Sequence, residues 1–212
     1  MICVQNLTKK FDGDTLFTDF NMYIKKGEMV ALCGQSGSGK TTLLNIIGLL
    51  DSDYTGKVLI DEKQMISYKS DDISSIIRSK IAYLFQNYAL IDDRDIYYNL
   101  NLAFFNKTSK SIKEAKMKEV LNLVGLSKKL NTEVYKLSGG EQQRLSIARA
   151  ILLDRDIYLC DEPTGNLDTH NRDIVMNLLE TIHSKGKTVI IVTHDPHVAS
   201  KCTRVIDLSE DA

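Results

Sequence analysis

The stretch "EMVALCGQSGSGKTTLLNIIGLL", residues 28–50, decides how the rest of the chain is read. It opens on an apolar run short enough for a buried strand and closes on leucines and isoleucines spaced as on a helix. Between them, Gly34, Gly39, Lys40 and Thr41 satisfy G-x-x-x-x-G-K-[ST]. Glycines let the backbone wrap tightly round a polyphosphate with its N–H groups turned inward. The candidate cradle is Gly34, Gln35, Ser36, Gly37, Ser38, Gly39, Lys40, Thr41 and Thr42. Lys40 would reach the β and γ phosphates, and Thr41 offers a hydroxyl to magnesium. A plain Gly-Ser turn between strand and helix accounts for the glycines but not for the lysine.

The bulk composition excludes several classes. At 212 residues the chain suits one large domain, or a domain carrying an inserted subdomain. Hydrophobic residues make up 43% and charged residues 26%, enough for a full core. A formal net charge of −1 gives no electrostatic reason to expect nucleic acid as a partner. No apolar run approaches the roughly 18 residues of a membrane span. "MICVQNLTKKF" alternates like a strand and lacks the layout of a signal peptide, so a cytoplasmic location is expected. Cys3, Cys33, Cys160 and Cys202 contain no C-x-x-C pair and read as structural thiols. His194 and His197 form an H-x-x-H without a second ligand pair at matching spacing.

Along the chain, "MICVQNL", "FNMYI" and "TGKVLIDEKQM" read as strands of an antiparallel sheet. From about residue 87 to residue 154 the pattern turns helical. There Ser111 and Glu114 have capping-box spacing ahead of Met117, Val120, Leu121 and Val124, and Gly125 is a plausible stop. Two apolar strands, "IYLCDEP" and "TVIIVTHDP", flank a helix with Ile174, Val175, Leu178, Leu179 and Ile182 on one face. Short apolar strands alternating with amphipathic helices predict an α/β fold built on a parallel sheet.

"IYLCDEP" ends in two carboxylates, Asp161 to hold magnesium and Glu162 to polarise an attacking water. Surface acids at a strand end are the rival reading. His194 closes "VIIVTH" and would sense a γ-phosphate; Gln86 closes "IAYLFQ" and says little alone. "KLSGGEQQRLSIARA", residues 136–150, begins like a helix, with Ser138 and Glu141 at capping-box spacing. The glycines leave its amides bare, which suits an anion. From Lys107 to Lys129, seven lysines face two glutamates, a solvated helix face before a lipid-binding patch.

Together these pieces resemble, over essentially the whole chain, the nucleotide-binding subunit of ABC transporters. The match runs through Phe11 at the adenine-stacking position, the phosphate loop Gly34–Thr41, Gln86, "LSGGEQQR", "IYLCDEP", "GNLD" at Gly165–Asp168, and His194. The resemblance implies a P-loop NTPase parallel-sheet core with an N-terminal antiparallel β subdomain, about 1–86 and 155–212. It implies an inserted α-helical subdomain at about 87–154. It also implies an ATPase using ATP and Mg2+, with Glu162, His194, Lys40 and Gln86 catalytic, and Thr41, Gln86 and Asp161 at the metal. Two copies would close head to tail as a homodimer. Ser138, Gly139, Gly140, Glu141 and Asp168 would then contact the partner's nucleotide, and hydrolysis would loosen the dimer.

More narrowly, "SGSGKTTLLNIIGLLD" and "DEPTGNLD" look like the macrolide-exporter, lipoprotein-release and bacteriocin-export group. That implies an integral membrane permease as partner, no nucleic acid, and a place at the inner face of the cell membrane. The chain stops soon after the His194 strand, so no C-terminal regulatory domain is expected. Tyr98 stands where relatives commonly have Glu before Asn99, and Thr41-Thr42 replaces Ser-Thr. The alternative is a non-transport ABC ATPase of cell-division type that regulates a membrane partner. Chromosome and repair ATPases need a coiled coil absent between Thr42 and Cys160, and a small-molecule kinase leaves "LSGGEQQR" unexplained.

Overall fold

The computed structural model describes residues 1–11, 14–61, 63–64, 70–104 and 108–209. Strands β1 (Ile2–Phe11), β2 (Asp14–Ile24), β3 (Met29–Cys33), helix α1 (Lys40–Ile47), β4 (Thr55–Ile60) and β5 (Lys63–Gln64) come first. Helix α2 (Ser70–Lys80), β6 (Ile81–Leu84), α3 (Ile96–Asn101), α4 (Lys110–Leu123) and α5 (Gly139–Leu153) follow. Then come β7 (Ile157–Asp161), α6 (Thr169–Ser184), β8 (Thr188–Val192), α7 (Pro196–Ser200) and β9 (Arg204–Asp207). The strands form an antiparallel sheet, β2-β1-β4-β5, and a parallel sheet, β6-β7-β8-β3-β9.

The central parallel strands are buried on both faces, which is why they read as unbroken apolar runs. Leu159, Ile190, Val192, Val30 and Leu32 point to one core, shared with α1 and the antiparallel sheet. Tyr158, Cys160, Val189, Ile191 and Met29 point to the other, shared with α3 to α7. Helix α1 thereby carries the Gly34–Gly39 loop between the two sheets. A buried ammonium ties this layer together. Lys9, 4% exposed, donates through Nζ to Asp51 Oδ1 at 3.2 Å and to the Asp53 carbonyl at 2.6 Å. Burial opposes that charge, but the bonds to Asp51 and Asp53 outweigh it and raise the Lys9 pKa.

Local chemistry sets the helix ends. Gly39, at φ 84°, delivers the chain into α1 from a left-handed position. The Ser138–Glu141 capping box forms as expected: Glu141 N donates to Ser138 Oγ at 3.3 Å, and Ser138 N donates to Glu141 Oε2 at 3.1 Å. Gly125, at φ 71°, ends α4 with Leu126 N donating to Leu121 O at 2.8 Å. The Ser111–Glu114 box does not form. The helix starts earlier, with Ser109 at the N-cap, and Ser111 Oγ lies 3.2 Å from Ser109 Oγ. Helices α2 and α7 and strand β9 are further elements without a counterpart among the expected ones. Isoleucines 73, 76 and 77 carried the spacing for α2, whereas β9 is a mostly exposed edge strand with little apolar signal.

Gly56 sits at φ 103° opposite the irregularity in β1, where a β-carbon would fall 2.4 Å from the Asn6 carbonyl oxygen. Backbone cannot step aside cheaply. Gly56→Ala is therefore expected to cost about 2–4 kcal/mol in urea unfolding. Gly186→Ala, at φ 77° with nothing within 4 Å, should cost only about 1 kcal/mol.

Candidate functional site

In the parallel sheet, Leu32 of β3 pairs with Val192 of β8, which pairs with Asp161 of β7. One row of the sheet thus ends three strands together. The loop Gly34–Gly39, the acids Asp161 and Glu162, and the segment Thr193–His194 all emerge at that edge. This is the carboxyl end of a parallel sheet, where ligands of such folds sit.

Lys40 Nζ folds back into its own loop, donating to the carbonyls of Gly34 at 2.9 Å and Gln35 at 2.6 Å. The ammonium is thus satisfied by carbonyls of its own loop. Thr41 Oγ1 donates to Asp161 Oδ1 at 3.0 Å. A hydroxyl and a carboxylate side by side are hard oxygen donors of the kind magnesium takes. Asp161 is 6% exposed; burial pushes its pKa up, the Thr41 bond opposes this, and the Glu162 charge adds to it. Gln86 lines a cleft of about 750 Å3 with Thr41, Asp161, Asn166 and Gln142. The side chains expected at the metal therefore share one cleft.

Glu162 stands in the left-handed region at φ 46°. Its amide is held by the Val192 carbonyl at 3.1 Å, and its Oε1 meets His194 Nδ1 at 2.8 Å. The other oxygen, Oε2, is buried and has no hydrogen-bond partner among the described residues. A buried carboxylate oxygen with a free lone pair is costly and invites a water. His197 turns elsewhere, 3.3 Å from Asp173, so the H-x-x-H pair diverges.

Ser138, Gly139, Gly140 and Glu141 open α5, and Asp168 stands at the start of α6. Ser138, Gly139 and Asp168 are exposed, whereas Gly140 is buried. Asp168 caps α6, accepting from Asn171 N at 2.8 Å and from Asn171 Nδ2 at 2.7 Å. The Asn171 amide oxygen in turn accepts from Arg144 of α5. It also lies 2.5 Å from where a β-carbon on Gly140 would be. Asn171 thus joins Asp168 to the α5 start, a role the sequence reading missed although the Asp-x-x-Asn spacing of a cap was visible. Glu141 is also bonded to Lys129. Lys113 donates to Asn101 Oδ1 at 3.0 Å, so the lysine-rich stretch is partly engaged in structure. Phe11, 65% exposed, stands at the end of β1 outside the cleft. Tyr98, 42% exposed, carries the Arg94 guanidinium 5.2 Å from its ring centre.

A family model described as ABC transporter matches residues 17–165. The chain belongs to the ABC transporter family. It is 40% identical over 99% of its length to the macrolide export ATP-binding/permease protein MacB of Campylobacter fetus, covering 34% of that protein. MacB of Bartonella quintana is 37% identical, with 33% of its length covered. The chain thus spans about a third of the length of these curated relatives. Among solved structures it resembles the dimeric post-hydrolysis ATP-binding cassette MJ0796 bound to ADP and Pi. There the TM-score is 0.88 at 36% identity, covering 98% of this chain and 94% of that one. It also resembles cbiO1 of Clostridium perfringens, at TM-score 0.85 and 26% identity over 97% and 83% of the two chains. The fold is that of an ABC ATPase cassette.

Asp161 gives this cassette a testable pH signature. Its folded-state pKa lies above the unfolded value, so its contribution to stability is full below the carboxylate range and lost as pH rises through the folded value. Asp161→Asn should melt at a higher temperature than the parent at neutral pH, the gap closing as pH falls to about 4.

Proposed function

We propose that this ABC cassette hydrolyses ATP with magnesium in sites shared by two copies, and that the cycle drives a membrane permease of the export type. The observation that carries the reading is Glu162. Its carboxylate is oriented by His194 through one oxygen and keeps the other buried and unpartnered, one residue beyond the Asp161–Thr41 pair. That is the arrangement a general base needs to hold and deprotonate a water aimed at a phosphorus.

In this reading the amides of Gly34–Thr42 and the Lys40 ammonium hold the phosphates. Thr41 and Asp161, with Gln86 nearby, would hold Mg2+. When bound, that ion would offset the charge developing on the phosphate oxygens. Phe11 is free to stack on an adenine. The exposed residues Ser138 and Gly139, with Gly140, Glu141 and Asp168, would complete the partner's site. The pairing would be a head-to-tail homodimer, and two of the solved cassettes the chain resembles are dimeric.

The permease reading has support of its own. Leu50, Ile77, Tyr83, Phe85 and Leu102 line a groove of about 400 Å3 next to Gln86, and Leu50 and Leu102 remain 50% and 39% exposed. An apolar groove at the base of the Gln86 loop suits a partner helix whose docking reads the nucleotide state. No helix among the described residues is long and apolar enough to cross a membrane. The membrane part would then come from outside residues 1–212, with the cassette at the inner face of the cell membrane. Export is the direction named for the MacB relatives, which are macrolide export ATP-binding/permease proteins. We further propose that residues of about 87–154 act as the permease-facing helical subdomain against a core of about 1–86 and 155–212.

Glu162→Gln should retain ATP affinity and lose turnover by about 100-fold or more, whereas Lys40→Ala should lose the affinity itself. Light scattering on Glu162→Gln should show a mass that doubles only with ATP. Equal loss of binding in both variants would remove the role given to Glu162, and an ATP-bound monomer would remove the shared site.

A further inference from the structure

A separate cavity lies at the other end of β7 from Asp161. It has a volume of about 610 Å3 and is bounded by α4, the last turns of α5 and α6, and Tyr158 near the start of β7. That size is within the range that holds a small molecule, about 300–1,000 Å3. None of its lining residues belongs to the cleft of Thr41, Gln86 and Asp161. The floor is apolar: Val120 and Ile182 are buried, and Ile151 and Leu152 are half-buried. Leu123, at the end of α4, also lines the cavity and remains 45% exposed.

The charge around this floor is unbalanced. Lys116, Lys185 and Lys187 line the cavity together with Asp154 and Glu119, three ammoniums against two carboxylates. Lys187 Nζ is taken up by Asp154 Oδ1 at 2.9 Å. Asp156, 3.9 Å from the same ammonium, is held by Lys80 at 3.1 Å. Lys116 and Lys185 have no ion-pair partner among the described residues. The bond from Lys187, and the charges of Lys187, Lys116 and Lys185 against an opposing effect of burial, hold the Asp154 carboxyl below its ordinary range. The three lysines thus converge on one carboxylate. Lys185 follows α6, where a cation suits the helix dipole, but Lys116 stands midway along α4 and has no such reason to be there.

We infer that this cavity is a binding site for a small amphipathic monoanion, an apolar chain that ends in a carboxylate. The chain would lie on Val120, Leu123, Ile151 and Ile182, and the carboxylate would take the two ammoniums without partners, Lys116 and Lys185. One negative charge matches the one positive charge left over, whereas a cationic head would meet three lysines. The site goes beyond the nucleotide cycle, and its test involves no ATP.

Equilibrium dialysis of the full chain against radiolabelled decanoate, below its micelle concentration and without nucleotide, tests the site. Binding should saturate at about one decanoate per chain. Affinity should rise about fourfold for each methylene added between octanoate and decanoate, as burial of that group predicts. Decyltrimethylammonium, the same chain with the opposite charge, should bind about tenfold more weakly or worse. Exchanging both free lysines, Lys116→Gln with Lys185→Gln, should weaken decanoate about tenfold and leave decyltrimethylammonium no weaker than before. All three of Lys116, Leu123 and Lys185 are exposed, so their variants should melt within about 3 °C of the parent. Should the lysine variant not fold, Leu123→Glu replaces it, setting a carboxylate in the cavity wall and weakening decanoate by a similar factor. Decanoate uptake that does not saturate, that is matched by the cation, that ignores chain length, or that is unchanged in the lysine variant would each overturn the inference.

Discussion

The parallel pairing of β7, β8 and β3 is the constraint on which everything else depends. Because Asp161, Val192 and Leu32 stand in one row, three segments far apart in sequence leave the sheet at the same edge. Each then has a short run in which to place one chemical group: an ammonium, a carboxylate pair, an imidazole. The strands hold that row because they are buried on both faces. A slip of one residue would turn every side chain toward the wrong core. Precision at the site is thus inherited from packing well below it.

The two faces of the sheet serve different ends. One packs on α1 and the antiparallel sheet, and Lys9, with Asp51 and Asp53, joins that sheet to the segment after α1. The other face packs on α5 and α6, which carry the exposed elements Ser138, Gly139 and Asp168. Asn171 and Arg144 knit those elements to each other, whereas Arg149 knits α5 to the turn after Gln86. Polar contacts therefore bridge the helical parts where apolar packing alone would let them slide. Hydrogen bonds of this kind have fixed partners and directions, so they can be broken one at a time without melting a core.

Some of the backbone strain lies beside the cleft of Thr41, Gln86 and Asp161. Glu162, Tyr88 and Ala89 all adopt backbone conformations that a β-carbon disfavours, and Gly34, Gly37 and Gly39 take positive φ without that cost. At Glu162 the strained backbone and the His194 contact leave one carboxylate oxygen buried and open. Asp161 likewise carries its charge in a buried place where a neutral side chain would be more comfortable.

By itself the sequence determined the periodic and the local. Runs such as "IYLCD" and "TVIIV" announced buried strands because both faces must be apolar, and Ser138 with Glu141 announced a helix start because the cap bonds are made within four residues. The Gly34–Thr41 motif is legible for the same reason: its glycines and lysine lie within one short stretch of chain. Local spacing also misled, since Ser111 and Glu114 fit a box that α4, starting at Lys110, does not use. Only the tertiary structure decided that Asn171 would lie over Gly140, that Glu162 would keep one oxygen unpaired, and that Arg149 would reach the Tyr88 and Ala89 carbonyls. Those contacts join residues set side by side by sheet order and helix packing, and no spacing along the chain encodes a distance across it.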